Sequence, residues 1–196
     1  MLSLKTALFG LISAATVAAA PAGAASFEVW NGSAWSASGT THLVGPVDFS
    51  YLSQFPCTAD FTVTVNNGVA TVSQAQFGGS QLCAAISAQL LPWSMLASPT
   101  PYAGANPPFA GAPMLTPQLH EVSLTGVRIR LPAPLNANCP ATPSTGGTLV
   151  GVLDSTTQLS APVANRFVFN TTLAPCSIRT RANPTMTANP ALRIVP

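Results

Sequence analysis

A hydrolytic triad needs a nucleophile, a base within hydrogen-bond reach and an acid that orients the base, and only His42 and His120 are available here as the base. His120 is followed by Glu121, but consecutive side chains at a strand start point to opposite faces, so the two do not make a dyad. No G-x-S-x-G elbow, Walker loop or G-x-G-x-x-G fingerprint occurs. Glycoside hydrolysis would need two carboxylates flanking one bond. The acids outside the N-terminal segment, Glu28, Asp48, Asp60, Glu121 and Asp154, are scattered and show no pair. In a chain this poor in charge, the expected partner of a carboxylate is an arginine. Both histidines therefore read as structural or solvated, and no catalytic residue and no cofactor is expected.

The cysteines, Cys57, Cys83, Cys139 and Cys176, lack the C-x-x-C spacing and the clustered histidines of a metal site. They read as disulfides. Four cysteines permit three connectivities, and nearest-neighbour pairing, Cys57 with Cys83 and Cys139 with Cys176, is the expected one. Two segments, Val127-Arg128-Ile129-Arg130-Leu131 and Ser177-Ile178-Arg179-Thr180-Arg181, each put two arginines on one strand face. If the two strands are neighbours, Arg128, Arg130, Arg179 and Arg181 make a basic patch for an anionic polysaccharide or a lipid phosphate. The plainer reading makes them ordinary outward positions. Trp93, Tyr102 and Phe109 complete the candidate contact residues. Asn31-Gly32-Ser33 and Asn170-Thr171-Thr172 match the glycosylation pattern, which Asn-rich β surfaces produce by chance.

The elements that must position these residues follow an export signal. Lys5, an apolar run over 7–20 and the small residues Ala22-Gly23-Ala24 have the three-part layout of a secretory signal, with cleavage expected between Ala24 and Ser26. About 14 apolar residues at 1.5 Å rise cannot cross a hydrocarbon core of about 30 Å, so 1–24 is not read as an anchor. Residues 25–196 then form one domain, secreted or on the extracellular cell surface, with the periplasm as a further destination. No later run spans a bilayer as a helix. Beyond the signal there is no lysine, and charged residues make up only 6% of the chain against about 25% in an ordinary domain. Solubility must come from Ser, Thr, Asn and Gln, and such a surface resists self-association little. Nucleic acid is excluded as a partner because no basic stripe is present.

Asp60-Phe61-Thr62-Val63-Thr64-Val65 alternates at the strand period, Asn67-Gly68 supplies a type I′ turn, and 69–72 returns as a hairpin partner. Ala75 and Phe77 fall on the opposite parity to Ala70 and Val72, which predicts a bulge near Ser73. Further strands are expected over 41–51, 119–125, 127–131, 148–154, 165–173, 176–180 and 192–195, with at most a short helix near 83–90. Nineteen prolines exclude a helical bundle. Residues 98–117, rich in proline, read as a long surface loop, either poorly ordered or presenting Tyr102 and Phe109 as contacts. The fold expected is all-β: an antiparallel β-sandwich, immunoglobulin-like or jelly-roll-like, with this loop and two disulfides. An outer-membrane barrel is disfavoured, since it needs apolar outward faces on strands of about 10 residues.

The order of landmarks resembles the small secreted activators of alkane oxidation, the PraA and PraB group of proteobacteria. It is carried by Cys57-Thr58-Ala59-Asp60-Phe61, Leu82-Cys83, Leu91-Pro92-Trp93, Leu124-Thr125-Gly126-Val127, Cys139, Gly147-Thr148-Leu149, Phe169-Asn170, Leu173-Ala174-Pro175-Cys176 and Pro190-Ala191-Leu192. The resemblance implies an extracellular, non-catalytic accessory protein that promotes growth on insoluble hydrocarbon or sits in the biofilm matrix. Its partners would be a hydrocarbon or lipid interface, matrix polysaccharide, or further copies of itself. The alternative readings are a fimbrial subunit assembled by strand donation and, less favoured, a hydrolase.

Overall fold

A computed structural model describes residues 25–155 and 165–196; the expected signal segment lies outside them. Strands dominate: β1 (Ser26–Trp30), β2 (Trp35–Ser36), β3 (Gly39–Tyr51), β4 (Ser53–Asn66) and β5 (Val69–Gly78) come before the single-turn helix α1 (Gln81–Ala84). After it follow β6 (Ser87–Gln89), β7 (Trp93–Pro101), β8 (Leu119–Arg130), β9 (Asn138–Cys139) and β10 (Gly147–Asp154). The chain ends with β11 (Phe167–Leu173), β12 (Cys176–Thr180), β13 (Thr187–Asn189) and β14 (Leu192–Val195).

The β4–β5 hairpin forms where alternation and turn chemistry agree. Cys57, Ala59, Phe61, Val63 and Val65 are buried while Thr58, Thr62 and Thr64 between them face outward. Asn67 and Gly68 adopt φ of 48° and 81°, the left-handed pair that a primed turn requires. Val65 then faces Ala70 and Val63 faces Val72, but Thr62 faces Gln74, which leaves Ser73 as the extra residue of a bulge. Its hydroxyl donates to the Thr62 carbonyl.

Eight strands run in the order β10-β11-β12-β3-β4-β5-β7-β8, and β8 pairs back onto β10 from Thr125 opposite Thr148 to Leu119 opposite Asp154. The sheet is therefore a closed antiparallel barrel of eight strands, which corrects the sandwich expected from sequence. Both architectures show the same inward-outward alternation; what decides between them is whether the last strand finds the first. β8 makes the closure by pairing β7 on one side and β10 on the other. The two strands expected over 119–131 are one, bulged where Gly126, with φ of 78°, has no residue opposite it between the Thr125–Thr148 and Val127–Gly147 pairs. Past this bulge β8 leaves the barrel and pairs with β6 and β9.

Eight strands enclose an interior just wide enough for side chains to fill. Leu43, Phe61, Val63, Trp93, Met95, Leu124, Leu149, Phe167 and Phe169 fill it and are all fully buried. A small sheet of β14, β1 and β2 closes the end at the Asn67–Gly68 turn, with the Phe27 amide donating to the Gly68 carbonyl. At the other end, α1, β6 and β9 bring Cys83, Ile86, Ala137 and Cys139 into the same core. The disulfides pin this second closure: Cys57–Cys83 ties α1 to β4, and Cys139–Cys176 ties β9 to the start of β12.

The wall is the reverse of an outer-membrane barrel, which is apolar outside and polar within. Here the apolar chains point in, and β4 shows Thr58, Asp60, Thr62 and Thr64 to the outside. Among the described residues no helix is long and apolar enough to cross a membrane. Residues 98–117 do not behave as a single loop. Residues 98–101 belong to β7, with Pro101 opposite His120 at its end, and no strand or helix is assigned from 102 to 118.

Candidate functional site

Segment 102–118 lies against the outside of the barrel. Tyr102 and Phe109 pack on a separate apolar cluster of Leu115, Leu119, Val152 and Val168, the last two being outward residues of β10 and β11. Asn106 clamps the segment on itself, its amide group donating to the Leu115 carbonyl and its carbonyl oxygen accepting from the Leu115 amide, at 2.8 and 2.9 Å. Arg166 then ties it to the barrel: its guanidinium donates to Asp154 Oδ2 at 2.7 Å, to the Met114 carbonyl and to Thr116 Oγ1 at 2.8 Å each.

Beyond the cluster, the turn at Phe109, Ala110 and Gly111 forms one wall of a cleft of about 480 Å³. Its floor comes from β3, β4, β12 and the residues just after β12, and carries Asp48, Gln54, Pro56, Arg179 and Arg181. Arg179 lies opposite Asp48 in the β12–β3 register. Both arginines approach its carboxylate, Arg179 Nη2 at 3.4 Å from Oδ2 and Arg181 Nε at 3.7 Å from Oδ1. The carboxylate is nearly covered, whereas the arginine side chains are 47% and 50% exposed. One negative charge between two positive ones leaves the cleft with a net positive charge and guanidinium faces turned to solvent.

This geometry sorts the residues singled out by sequence. Phe109, Arg179 and Arg181 meet in the cleft. Tyr102 is held at the root of the same segment. Trp93 does not join them: it is fully buried in the barrel, its indole N–H donating to the Gln89 carbonyl at 2.8 Å, so it is not available for outside contact. Arg128 and Arg130 do not join them either. β10 and β11 separate their strand from β12, so the four-arginine patch does not form, and Arg128 instead donates to the Ser144 carbonyl at 2.7 Å.

The family model described as alkane oxidation protein activator PraA/PraB-like matches residues 1–196. The chain belongs to this family. No curated protein and no solved structure matches it.

In this PraA/PraB-like protein the histidines lie away from the cleft. His42 Nδ1 is 3.0 Å from Asp60 Oδ1 on the outer wall, and His120 is buried with Nδ1 3.2 Å from the Ser98 carbonyl. Glu121 points to the opposite side of β8 and is exposed. Among the described residues no group of three or more His, Cys, Asp or Glu stands where it could hold a metal ion.

Two features escaped sequence reading. An arginine is the expected partner of Asp48, but which arginines it meets, Arg179 and Arg181, depends on the pairing of β12 with β3 and is not carried by the sequence. Trp30 and Trp35 face each other across β1 and β2 with ring centroids 5.5 Å apart, and the Arg193 guanidinium lies 4.7 Å above Trp35. Beside them is a second cleft of about 520 Å³, lined by residues that include Trp30, Asn31, Thr40 and Asn189.

Asp154 holds segment 102–118 through Arg166, and burial pushes its carboxyl above the ordinary value of 3.8 despite the opposing Arg166 contacts. A raised folded pKa means that the folded state holds the proton more readily than the unfolded one, so this residue's contribution to stability falls as pH rises through that window. Asp154→Asn removes the titration. The difference in unfolding free energy between the natural protein and this variant should therefore move toward the natural protein as pH falls through the raised pKa to 3.8. Denaturant titrations between pH 7 and pH 3 measure it; a difference independent of pH would contradict this account of Asp154.

Proposed function

We propose that this member of the PraA/PraB family is an exported, non-catalytic accessory protein that works through the outside of its barrel, at the boundary between the cell and hydrocarbon or matrix. The observation that carries this is the wall itself. The interior is filled with side chains, which leaves the outer surface for contact, and that surface exposes Ser, Thr, Gln and Asn together with Ala, Gly and Pro and few charges. Large apolar side chains stand uncovered on it: Leu52, Val69, Leu90, Leu96, Met114 and Val150. Leu96 and Val150 flank Ser123 in register across β7, β8 and β10. Moving a charged group into an apolar phase carries a large desolvation cost, whereas fully burying one Leu or Val contributes about 1.5–3 kcal/mol. A wall with few charges and several exposed aliphatic groups suits adsorption to oil.

Two disulfides fit an oxidising compartment outside the cytoplasm. Strand donation finds less support, because each of the eight barrel strands already pairs on both sides and closure removes the vacant edge a donated strand would need.

A deletion strain tests the reading. It should grow slowly on hexadecane and normally on a soluble carbon source if the protein acts at the oil surface; unchanged growth with reduced adhesion would place it in the matrix. Purified mature protein should adsorb to hexadecane droplets, and Leu96→Ser with Val150→Ser should weaken that adsorption several-fold. Normal growth, normal adhesion and no droplet binding together would remove the proposal.

A further inference from the structure

The cleft between segment 102–118 and the β3–β12 wall carries an inference about what the protein recognises. We propose that it binds the carboxylate-bearing sugar of an acidic polysaccharide, with Arg179 and Arg181 on the carboxylate and Phe109 against the ring. This rests on the matrix side of the function proposed above and narrows it to one ligand class and one place.

Charge is the first argument. Asp48 stands between two guanidinium groups and reaches neither closely, at 3.4 and 3.7 Å. A guanidinium offers about five N–H donors in a rigid fork that matches a planar carboxylate. The long contacts to Asp48 leave most of those donors to solvent, and the side chains are half exposed. A second carboxylate entering the cleft would therefore meet unfilled donors and balance the net positive charge.

Shape and lining are the second. The volume of about 480 Å³ lies within the range of about 300–1,000 Å³ usual for small-ligand sites. Phe109 is braced by the apolar cluster beneath segment 102–118, and that segment is pinned by Asn106 and Arg166, so the wall is formed before any ligand arrives. Gln54 adds an amide that can both donate to and accept from hydroxyl groups. An acyl chain would want a continuous apolar trough, whereas the floor presents Asp48, Gln54, Arg179 and Arg181. A sugar acid matches this mixture better than a fatty acid does.

Calorimetric titration of the purified mature protein with a galacturonic acid trimer tests this, compared with maltotriose, decanoate below its micelle concentration and inorganic phosphate. The acidic trimer should bind at least tenfold more tightly than any of the other three. Arg181→Gln, which leaves Arg179 beside Asp48, should weaken the trimer at least tenfold, and Phe109→Ala should weaken it without changing the charge. Arg130→Gln, an equal loss of charge on β8, should leave it unchanged. The proposal is overturned if decanoate or phosphate binds as tightly as the trimer, if Arg130→Gln weakens binding as much as Arg181→Gln, or if the trimer does not bind. The comparison of ligands on the natural protein decides the matter even where a variant fails to fold. Adhesion of the deletion strain reports separately on the broader function: unchanged adhesion would strike its matrix side, and failure of the natural protein to bind the trimer while adhesion falls in that strain would strike only the ligand.

Discussion

Trp93→Ala should lower the unfolding free energy by about 3–5 kcal/mol, the range for removing a buried aromatic side chain. The ring is fully buried in the barrel and meets Phe61 edge-on at 6.0 Å between centroids, in line with a further edge-on contact from Phe61 to Phe77. Alanine would leave a cavity in an interior whose eight strands cannot close around it without shifting register. It would also leave the Gln89 carbonyl without the indole donor at 2.8 Å. Trp93→Phe separates the two effects, since it keeps most of the volume and loses only the N–H; its cost should be about 1–3 kcal/mol. Urea denaturation followed by far-ultraviolet circular dichroism measures both. A loss below about 1 kcal/mol for Trp93→Ala would mean that the barrel interior is not packed as described.

Removing the two disulfides should have an effect of similar size. They close loops with sequence separations of 26 and 37, and constraints of that length contribute about 2–4 kcal/mol each through the entropy of the unfolded chain. Their placement adds a structural consequence. Both sit at the end closed by α1, β6 and β9, where the barrel's own ladder has given way to short two- and three-residue pairings. Reduction should expose this end first, with amides of 81–89 and 136–139 exchanging hydrogen faster while those of the β4–β5 hairpin stay protected. Mass spectrometry of unreduced peptides fixes the pairing, and a Cys57–Cys176 bridge would contradict it. An unchanged melting temperature on full reduction would show that the end closure holds without its staples.

The family adds a boundary to these expectations. The matched model covers 1–196 and is described as an activator of alkane oxidation, a description that names activation rather than a reaction. The cleft combines charge with an aromatic wall, while both histidines lie elsewhere, beside Asp60 and the Ser98 carbonyl.

What sequence alone determined was local. Period-two alternation and Asn67-Gly68 specified the β4–β5 hairpin, and a change of parity placed the bulge at Ser73, because a strand's inward residues and a primed turn's φ values depend only on neighbours along the chain. Sequence permits three cysteine connectivities and only favoured the nearest-neighbour pairing that the structure forms, while the low charge count limited how Asp48 could be partnered. Closure of the barrel was not legible, since alternation is the same in a barrel and a sandwich and the β8–β10 ladder depends on how far the strands curl. β7 was missed because Pro99 and Pro101 argue against a ladder, yet its pairing with β8 runs from Ser94 to Ala97 and resumes only at Pro101, past an irregularity that absorbs the missing donor. The site was half legible for the same reason. Phe109, Arg179 and Arg181 were visible as residue types, but the pairing of β12 with β3 sets Arg179 opposite Asp48, and segment 102–118, lying on the outward faces of β10 and β11, brings Phe109 to them; no periodicity along the chain records either contact.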